Sequence, residues 1–427
     1  MPVAKSIRQV STRGSGAPNR LADNRKQIVI LGAGYAGLCT ALRLERLLRK
    51  NVNWRIVLVD RNNFHQLKTE LHEVAAGRIS EETVSIPIAR LIDKKNINFF
   101  NAEATHIDFV QQFVTTSKGK VKYDKLVIAL GSETEFFGIP GMGAQTFTLT
   151  SVEDAKRIKN HIREMFVQAK NEKGDAKRQA LLTFIIGGGG FTGVELATEL
   201  VGYISELCRQ FEIATEKVQV IVVEAAERIL PGFDLELVNQ AQKAMKNMGI
   251  MLLLKTPCVS AEEDYVRLRG GQKISTRTLI WTGGVRACDL VAKTELKFGP
   301  RGRVAVNPYL ESVDHAGIYV IGDNALVVDP ITKRPLAPSA QLALQQAEIV
   351  ASNLCAEING VKRARYTPKV VGEFVSLGGR NAVGWVWKFR VTGFAAWFLK
   401  RMSVVRYLYS LGGLKLAVLR LPALFSS

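Results

Sequence analysis

At 427 residues the chain is long enough for two or three domains, and its 47% hydrophobic and 23% charged residues are an ordinary globular balance that excludes a mainly disordered polymer. Lys and Arg number 58 against 39 Asp and Glu, and the net charge of +19 points to an anionic partner, either a membrane surface or a nucleic acid. Cys39, Cys208, Cys258, Cys288 and Cys355 form no C-x-x-C or C-x₄-C pair, so they are expected as small apolar residues in a reducing compartment, with no metal site.

Residues 1–25 are expected to be a basic, flexible tail. The first 20 contain no acid and lack the apolar stretch of a secretory signal peptide, with a mitochondrial presequence as the lesser reading. The first patterned segment is Gln27–Ala41, QIVILGAGYAGLCTA. Its β-branched run predicts a buried parallel strand; Gly32, Gly34 and Gly37 follow at G-x-G-x-x-G spacing, and a helical pattern continues. In such a loop the first glycine permits the turn, the second lets the backbone approach a pyrophosphate, and the third lets the helix pack closely. The helix amino-terminus then offers its free N–H groups to the phosphates. WRIVLVD ends the next strand at Asp60, 60 − 37 = 23 residues past the third glycine, where a carboxylate accepts from ribose hydroxyls.

Further on, YDKLVIALGS predicts a strand entering a turn at Gly131. Thr183–Ala197, TFIIGGGGFTGVELA, then repeats the first motif with Gly188, Gly190 and Gly193, at an offset of 188 − 32 = 156 residues, about one domain. VQVIVVE ends at Glu224, 224 − 193 = 31 residues past Gly193. One such motif is weak evidence; two, each with its strand, helix and acid, indicate two bound dinucleotides. GIYVIGDNA predicts a strand ending at Gly322 and Asp323. Pro338 and Ser339 start a helical pattern reaching about Cys355, which sets Gln341 and Gln345 on one face. Glutamine amides both donate and accept without adding charge, which suits an uncharged carbonyl or hydroxyl ligand, and a solvated face accounts for the pair equally well.

From Lys362 to Arg420 there are 12 Lys and Arg and one acid, Glu373, a net of 12 − 1 = +11. Phe394, Trp397, Phe398, Val405 and Leu408 are expected on one helical face, with Lys400 and Arg406 at its margins and Arg401 interrupting it. A Trp-bearing apolar face flanked by cations suits a helix lying in a membrane interface; packing on the core or on a second subunit is the rival. No run of 18 or more uncharged apolar residues occurs, so no spanning helix is expected. Nucleic acid is not expected, because the cations are interleaved with bulky aliphatics and no nucleic-acid-binding motif is present.

Together the two fingerprints, the A-L-G-S turn and the Gly322-Asp323 strand end resemble the two-dinucleotide-binding-domain flavoprotein superfamily. Within it, G-G-F-T-G-V-E at Gly189–Glu195, A-Q-L-A-L-Q-Q at Ala340–Gln346, D-R-N-N-F-H, V-E-A-A-E-R-I-L-P and W-T-G-G-V-R-A look like the type II NADH:quinone oxidoreductases, over almost the whole chain from Gln27 to Leu421. The resemblance implies an α/β fold of two Rossmann-type domains. An FAD domain at 26–150 and 299–360 would be interrupted by an NAD domain at 151–298, and a membrane-associating region at 361–427 would follow. It implies FAD at Gly32, Gly34, Gly37, Asp60, Gly131, Gly322, Asp323 and Ala340. NADH would lie at Gly188, Gly190, Gly193, Glu224 and Gly283. Glu224 favours NADH over NADPH, since a 2′-phosphate would meet a carboxylate.

Glu195, Gln341 and Gln345 are implied as the catalytic set beside flavin and quinone. The implied partners are a membrane quinone and an anionic membrane surface, with a homodimer through the C-terminal region as a further expectation. The implied place is the cytoplasmic face of a bacterial cell membrane, ahead of the mitochondrial inner membrane. Disulfide reductases of the superfamily carry C-x₄-C where this chain has NFHQLKTELHEVAAG, which removes disulfide reduction. Sulfide:quinone oxidoreductases use a cysteine pair, for which Cys258 and Cys355 are poorly placed. The alternatives are a reductase of ferredoxin, rubredoxin or a soluble acceptor, and a flavin-stabilised interaction protein with a DNA-binding surface.

Overall fold

The computed structural model describes residues 25–330 and 332–425, so the tail expected at residues 1–25 lies outside the described residues except for Arg25. In chain order, the elements that position the site begin with β1 (Lys26–Leu31), α1 (Tyr35–Leu47), β2 (Trp54–Asp60), α2 (Leu71–Ala75), β3 (Ile97–Asn101) and β4 (Lys125–Ile128). Next come β5 (Phe147–Thr148), α3 (Val152–Asn171), β6 (Thr183–Gly187), α4 (Phe191–Phe211), β7 (Gln219–Val223), β8 (Met251–Leu253) and β9 (Thr278–Trp281). The chain closes with β10 (Ile318–Val320), α5 (Ala340–Ile358), β11 (Gly372–Ser376), β12 (Ala382–Val386), β13 (Phe389–Thr392) and α6 (Gly393–Phe425).

Two parallel five-stranded sheets organise these elements, in the orders β10-β4-β1-β2-β3 and β5-β9-β6-β7-β8. Each places its fingerprint strand in the middle, where helices cover both faces. Ile28, Val29, Ile30 and Leu31 of β1 are accordingly all fully buried, each contributing about 1.5–3 kcal/mol of apolar transfer. β10 returns to the first sheet after the second is complete. The segments Ser132–Thr134 and Val285–Ala287, where the chain leaves and regains the first sheet, pair antiparallel.

The carboxyl-terminal region is an antiparallel meander, β11-β12-β13, followed by α6. Two of its expectations change. First, Trp397 and Leu408 are buried at 2% and 0% exposure, whereas Phe394 and Phe398 are exposed at 58% and 42%, so the five aromatic and aliphatic residues do not share one face. The inner row is Trp397, Lys400, Arg401, Val404, Tyr407, Leu408 and Leu411, at helical spacing. Lys400 and Arg401 are therefore neither margin nor interruption; both are buried because carboxylates from distant parts of the chain meet them. Second, α6 is by length and composition a helix long and apolar enough to cross a membrane, which the charge-free criterion had excluded. A backbone break at Gly412 and Gly413 divides it, and its buried row ties it to the protein body.

Candidate active site

The two fingerprint loops have the same geometry. A Cβ at Gly32 or Gly37 would collide with backbone of its own turn or of Ala129, and one at Gly188 or Gly193 with the turn or with Gly283 and Thr282. Gly32 and Gly188 also have φ of +95° and +111°, a region costly for other residues. At Gly34 and Gly190, by contrast, a Cβ would meet nothing within 4 Å. Open space thus lies over the amino-termini of α1 and α4, where no side chain caps the helix and no acid stands in the first turn. Such an end attracts a phosphate. Gly283 packs behind Gly188 rather than facing this space.

Behind each loop stands its acid. The Ala33 N–H donates to Asp60 Oδ2 at 2.6 Å and the Asn62 N–H to Oδ1 at 2.7 Å. Gly189 and Ala226 N–H groups donate to Glu224 Oε2 and Oε1 at 2.6 and 2.7 Å. Both carboxylates are oriented this way while keeping lone pairs for ribose hydroxyls. Burial raises the Asp60 carboxyl above its usual range, and the two N–H donors oppose that rise.

Asp323 stands beside the Gly131 turn, accepting from Ser132 Oγ at 2.6 Å. Asn324, fully buried, clamps Gly131 by donating to its carbonyl at 2.8 Å and accepting from its N–H at 3.0 Å. The Gly322 N–H donates to buried Gln346 at 2.6 Å. The sequence assigned no role to Asn324 or Gln346, although Asn324 adjoins Asp323 and Gln346 ends the A-Q-L-A-L-Q-Q run. A cavity of about 290 Å³ opens beside Asp323, lined by Arg286, Arg301, Arg303 and Pro338, and Arg303 Nε is buried in it without a partner. Phosphate-sized space over an uncapped helix, an oriented acid and a cation-lined cavity fit a flavin nucleotide.

Ala340 opens α5, whose Ser339 cap accepts from the Leu342 N–H at 3.3 Å. Gln341 and Gln345 do share a face, and both amides bind the segment leading into β11. Gln345 Nε2 donates to the Lys369 carbonyl at 2.7 Å while its Oε1 accepts from the Lys369 N–H at 3.0 Å. Gln341 likewise accepts from Val371 N–H at 2.7 Å and donates to the Gly372 carbonyl at 3.1 Å.

Glu195, on the first turns of α4, accepts from the Ser376 N–H at 3.0 Å and pairs with Lys400 of α6, which also donates to Ser376 Oγ at 2.8 Å. The neighbouring Arg401 pairs with Glu73 and, at 2.7 Å, with Glu70. Burial opposes the charge on both cations, yet Glu195 and Glu70 raise Lys400, and Glu73 and Glu70 raise Arg401, above their usual values. Burial and the Glu73 carboxylate push Glu70 up to about 7. Burial, then Lys400 and Arg401, holds His72 well below its usual value and therefore neutral. Glu199 completes the cluster by pairing with Arg78 at 2.8 Å. Sequence spacing gave no sign of this cluster, since its partners lie up to 331 residues apart.

A second contact joins α6 to the first loop. Tyr407 Oη lies 2.9 Å from His65 Nε2, and His65 Nδ1 lies 2.9 Å from the Ala33 carbonyl of the loop itself. Burial pushes His65 down to about 4, so the ring is neutral and bridges the two. All five cysteines are free.

Residues 26–347 match the pyridine nucleotide-disulphide oxidoreductase family. The chain is 36% identical to the type II NADH:quinone oxidoreductase of Staphylococcus epidermidis over 402 residues, 93% of this chain and 98% of that protein. It is 35% identical to that of Staphylococcus aureus over the same shares. In fold it is similar to NDH2 of Plasmodium falciparum in complex with NADH, with a TM-score of 0.82, 17% identity, and coverage of 93% and 97% of the two chains. It is also similar to the sulfide:quinone oxidoreductase of Aquifex aeolicus, with a TM-score of 0.75, 21% identity and 91% coverage of each chain.

Proposed function

This chain belongs to the pyridine nucleotide-disulphide oxidoreductase family and to its type II NADH:quinone oxidoreductases, and from that premise we propose how its two loops and its last helix divide the work. It is a membrane-associated oxidoreductase that uses NAD(H) and a flavin and passes electrons to a quinone. We assign the flavin as FAD, held by the discontinuous unit 26–150 and 299–360. Its pyrophosphate would lie over Gly34 at the uncapped end of α1, its adenosine ribose at Asp60 and its ribityl chain at Asp323. NADH would lie over Gly190 with its ribose at Glu224, in the unit 151–298. The bound flavin supplies the two-electron relay between nicotinamide and quinone. The protein supplies position and protons.

Glu195 is assigned to handle a proton at the quinone side. The observation that supports this best is its pairing with Lys400: the helix that begins at the NADH loop is tied directly to the helix that carries the membrane face. Gln341 and Gln345 belong to the same wall. Their amides hold 369–372 against α5, and a quinone there would meet the edge of that clamp. The exposed row Phe394, Phe398, Met402, Tyr409, Leu414 and Val418, with exposed Lys388, Arg406 and Lys415 beside it, suits an anionic leaflet of the cytoplasmic face. A second copy of the chain is the rival occupant of that row.

The test is an acceptor comparison. Purified, FAD-loaded protein is expected to oxidise NADH with a short-chain quinone far faster than with ferredoxin or a disulfide. Faster turnover with ferredoxin would reject the quinone reading.

A further inference from the structure

The cluster beneath Glu195 has an odd charge. Its members come from every element that packs there: Glu70, His72 and Glu73 from the α2 region, Arg78 from the loop after it, Glu195 and Glu199 from α4, and Lys400 and Arg401 from α6. Glu70 and Glu73 are 0% exposed, Arg401 2%, His72 3%, Glu199 6%, Glu195 8% and Lys400 9%. With neutral His72, four carboxylates against three cations leave 3 − 4 = −1. A sealed, uncompensated charge costs several kcal/mol, and binding one proton removes it.

The hydrogen bonding leaves the same excess of one. With its proton on Nδ1, His72 offers Nε2 as an acceptor, and it is buried without a partner alongside Glu70 Oε1 and Glu73 Oε2, three acceptors against two unpartnered donors of the cluster, Arg78 Nη2 and Arg401 Nε. His72 spans the gap between two carboxylates: its Nε2 is 3.9 Å from Glu73 Oε1 and its Nδ1 is 3.7 Å from Glu195 Oε2. His72, Glu73 and Glu199 also have ligand-like spacing, but a divalent cation would turn −1 into +1 and compete with Arg401 and Arg78. A proton balances the site; a metal does not.

We propose that the Glu70–His72–Glu73 cluster keeps one resident proton and delivers it through His72 to Glu195 during quinone reduction. This rests on the quinone reading above. The balance requires such a donor. NADH, quinone and one proton give NAD⁺ and quinol; the hydride carries two electrons and one proton, and the second proton must come from the protein. The cluster is recharged from solvent past Arg78, whose side chain is 11% exposed. Glu70, Glu73 and His72 act through Glu195 and are positioning residues.

Glu70→Gln makes a direct test, because three carboxylates then face three cations and the cluster needs no proton. The oxidised wild-type protein at neutral pH is expected to show the infrared carbonyl band of a protonated carboxyl, and Glu70→Gln to lack it wherever the proton sat. In stopped flow, the quinone step of Glu70→Gln is expected to slow about tenfold or more and to lose its pH dependence, with Glu70→Asp restoring both. A missing band in wild type, or an unchanged band in Glu70→Gln, overturns the resident proton. A lost band with a wild-type quinone step and pH profile overturns its delivery. A wild-type chain that shows the band yet reduces no quinone rejects the functional reading instead and leaves the resident proton standing.

Discussion

Along α6, Trp397, Arg401, Val404, Leu408 and Leu411 are turned into the protein, whereas Phe394, Phe398, Met402, Tyr409 and Leu414 are turned out, and it is the inner row that carries buried charge. Counting apolar residues around the helix does not separate the rows, since both contain large aromatics. What separates them is that Lys400 and Arg401 find carboxylates supplied by α4 and the α2 region. Charged residues are seldom fully buried unless paired, and these two cations are paired. Among the described residues the outer row meets no such carboxylates, and it is the row proposed for the membrane.

Breaking the inner row has the largest expected effect. Arg401→Ala strands Glu70 and Glu73 in the core, and a loss of about 3–5 kcal/mol in urea unfolding is expected. Changing Glu70 and Glu73 to Gln together with Arg401→Met should recover most of it, because two carboxylates then face two cations. If Arg401→Ala unfolds at the wild-type midpoint, the inner face does not hold α6.

The outer row should respond in the opposite way. Phe394→Ser with Phe398→Ser is expected to change stability by no more than about 0.5 kcal/mol. Its partition to anionic vesicles should fall by about ten- to a hundredfold, from roughly 1.5–3 kcal/mol of lost apolar burial. High salt should weaken binding of the wild-type chain without abolishing it, since screening reaches only the ionic part. Vesicle flotation measures both. Deleting everything after Arg390 would be uninformative, because Lys400, Arg401 and Tyr407 would leave with the membrane face.

Tyr407→Phe sharpens the inner contact to one hydrogen bond. About 1 kcal/mol of stability should be lost as His65 Nε2 loses its partner. Because His65 also contacts the Ala33 carbonyl, flavin retention after gel filtration is expected to fall slightly. An unchanged midpoint and flavin content would uncouple α6 from the first loop.

The same contrast between local and distant partners decides what was legible in the sequence. Each nucleotide loop was legible because its strand, glycines, helix and acid lie within about forty residues and follow one repeated rule. Gln341 and Gln345 were correctly set on one face by helical period, but their contacts with 369–372 depend on how β11 approaches α5. The charged cluster was invisible. Glu70, Glu73 and Arg78 sit in one local segment, and only the fold brings Glu195, Glu199, Lys400 and Arg401 to them. Helical period could not say which side of α6 faces in, because the choice is made by those carboxylates.

The most direct test of this division is the rate with a long-tailed quinone in vesicles divided by the rate with a short-tailed soluble quinone, for wild type and for the Phe394→Ser, Phe398→Ser protein. The soluble-quinone rate should stay within about twofold, as the proposed chemistry lies on the inner side. The long-tailed rate should fall in step with vesicle binding, about tenfold or more. An unchanged ratio in a folded, FAD-loaded variant would contradict the account, and so would a monomeric variant formed from a dimeric wild type with vesicle binding intact.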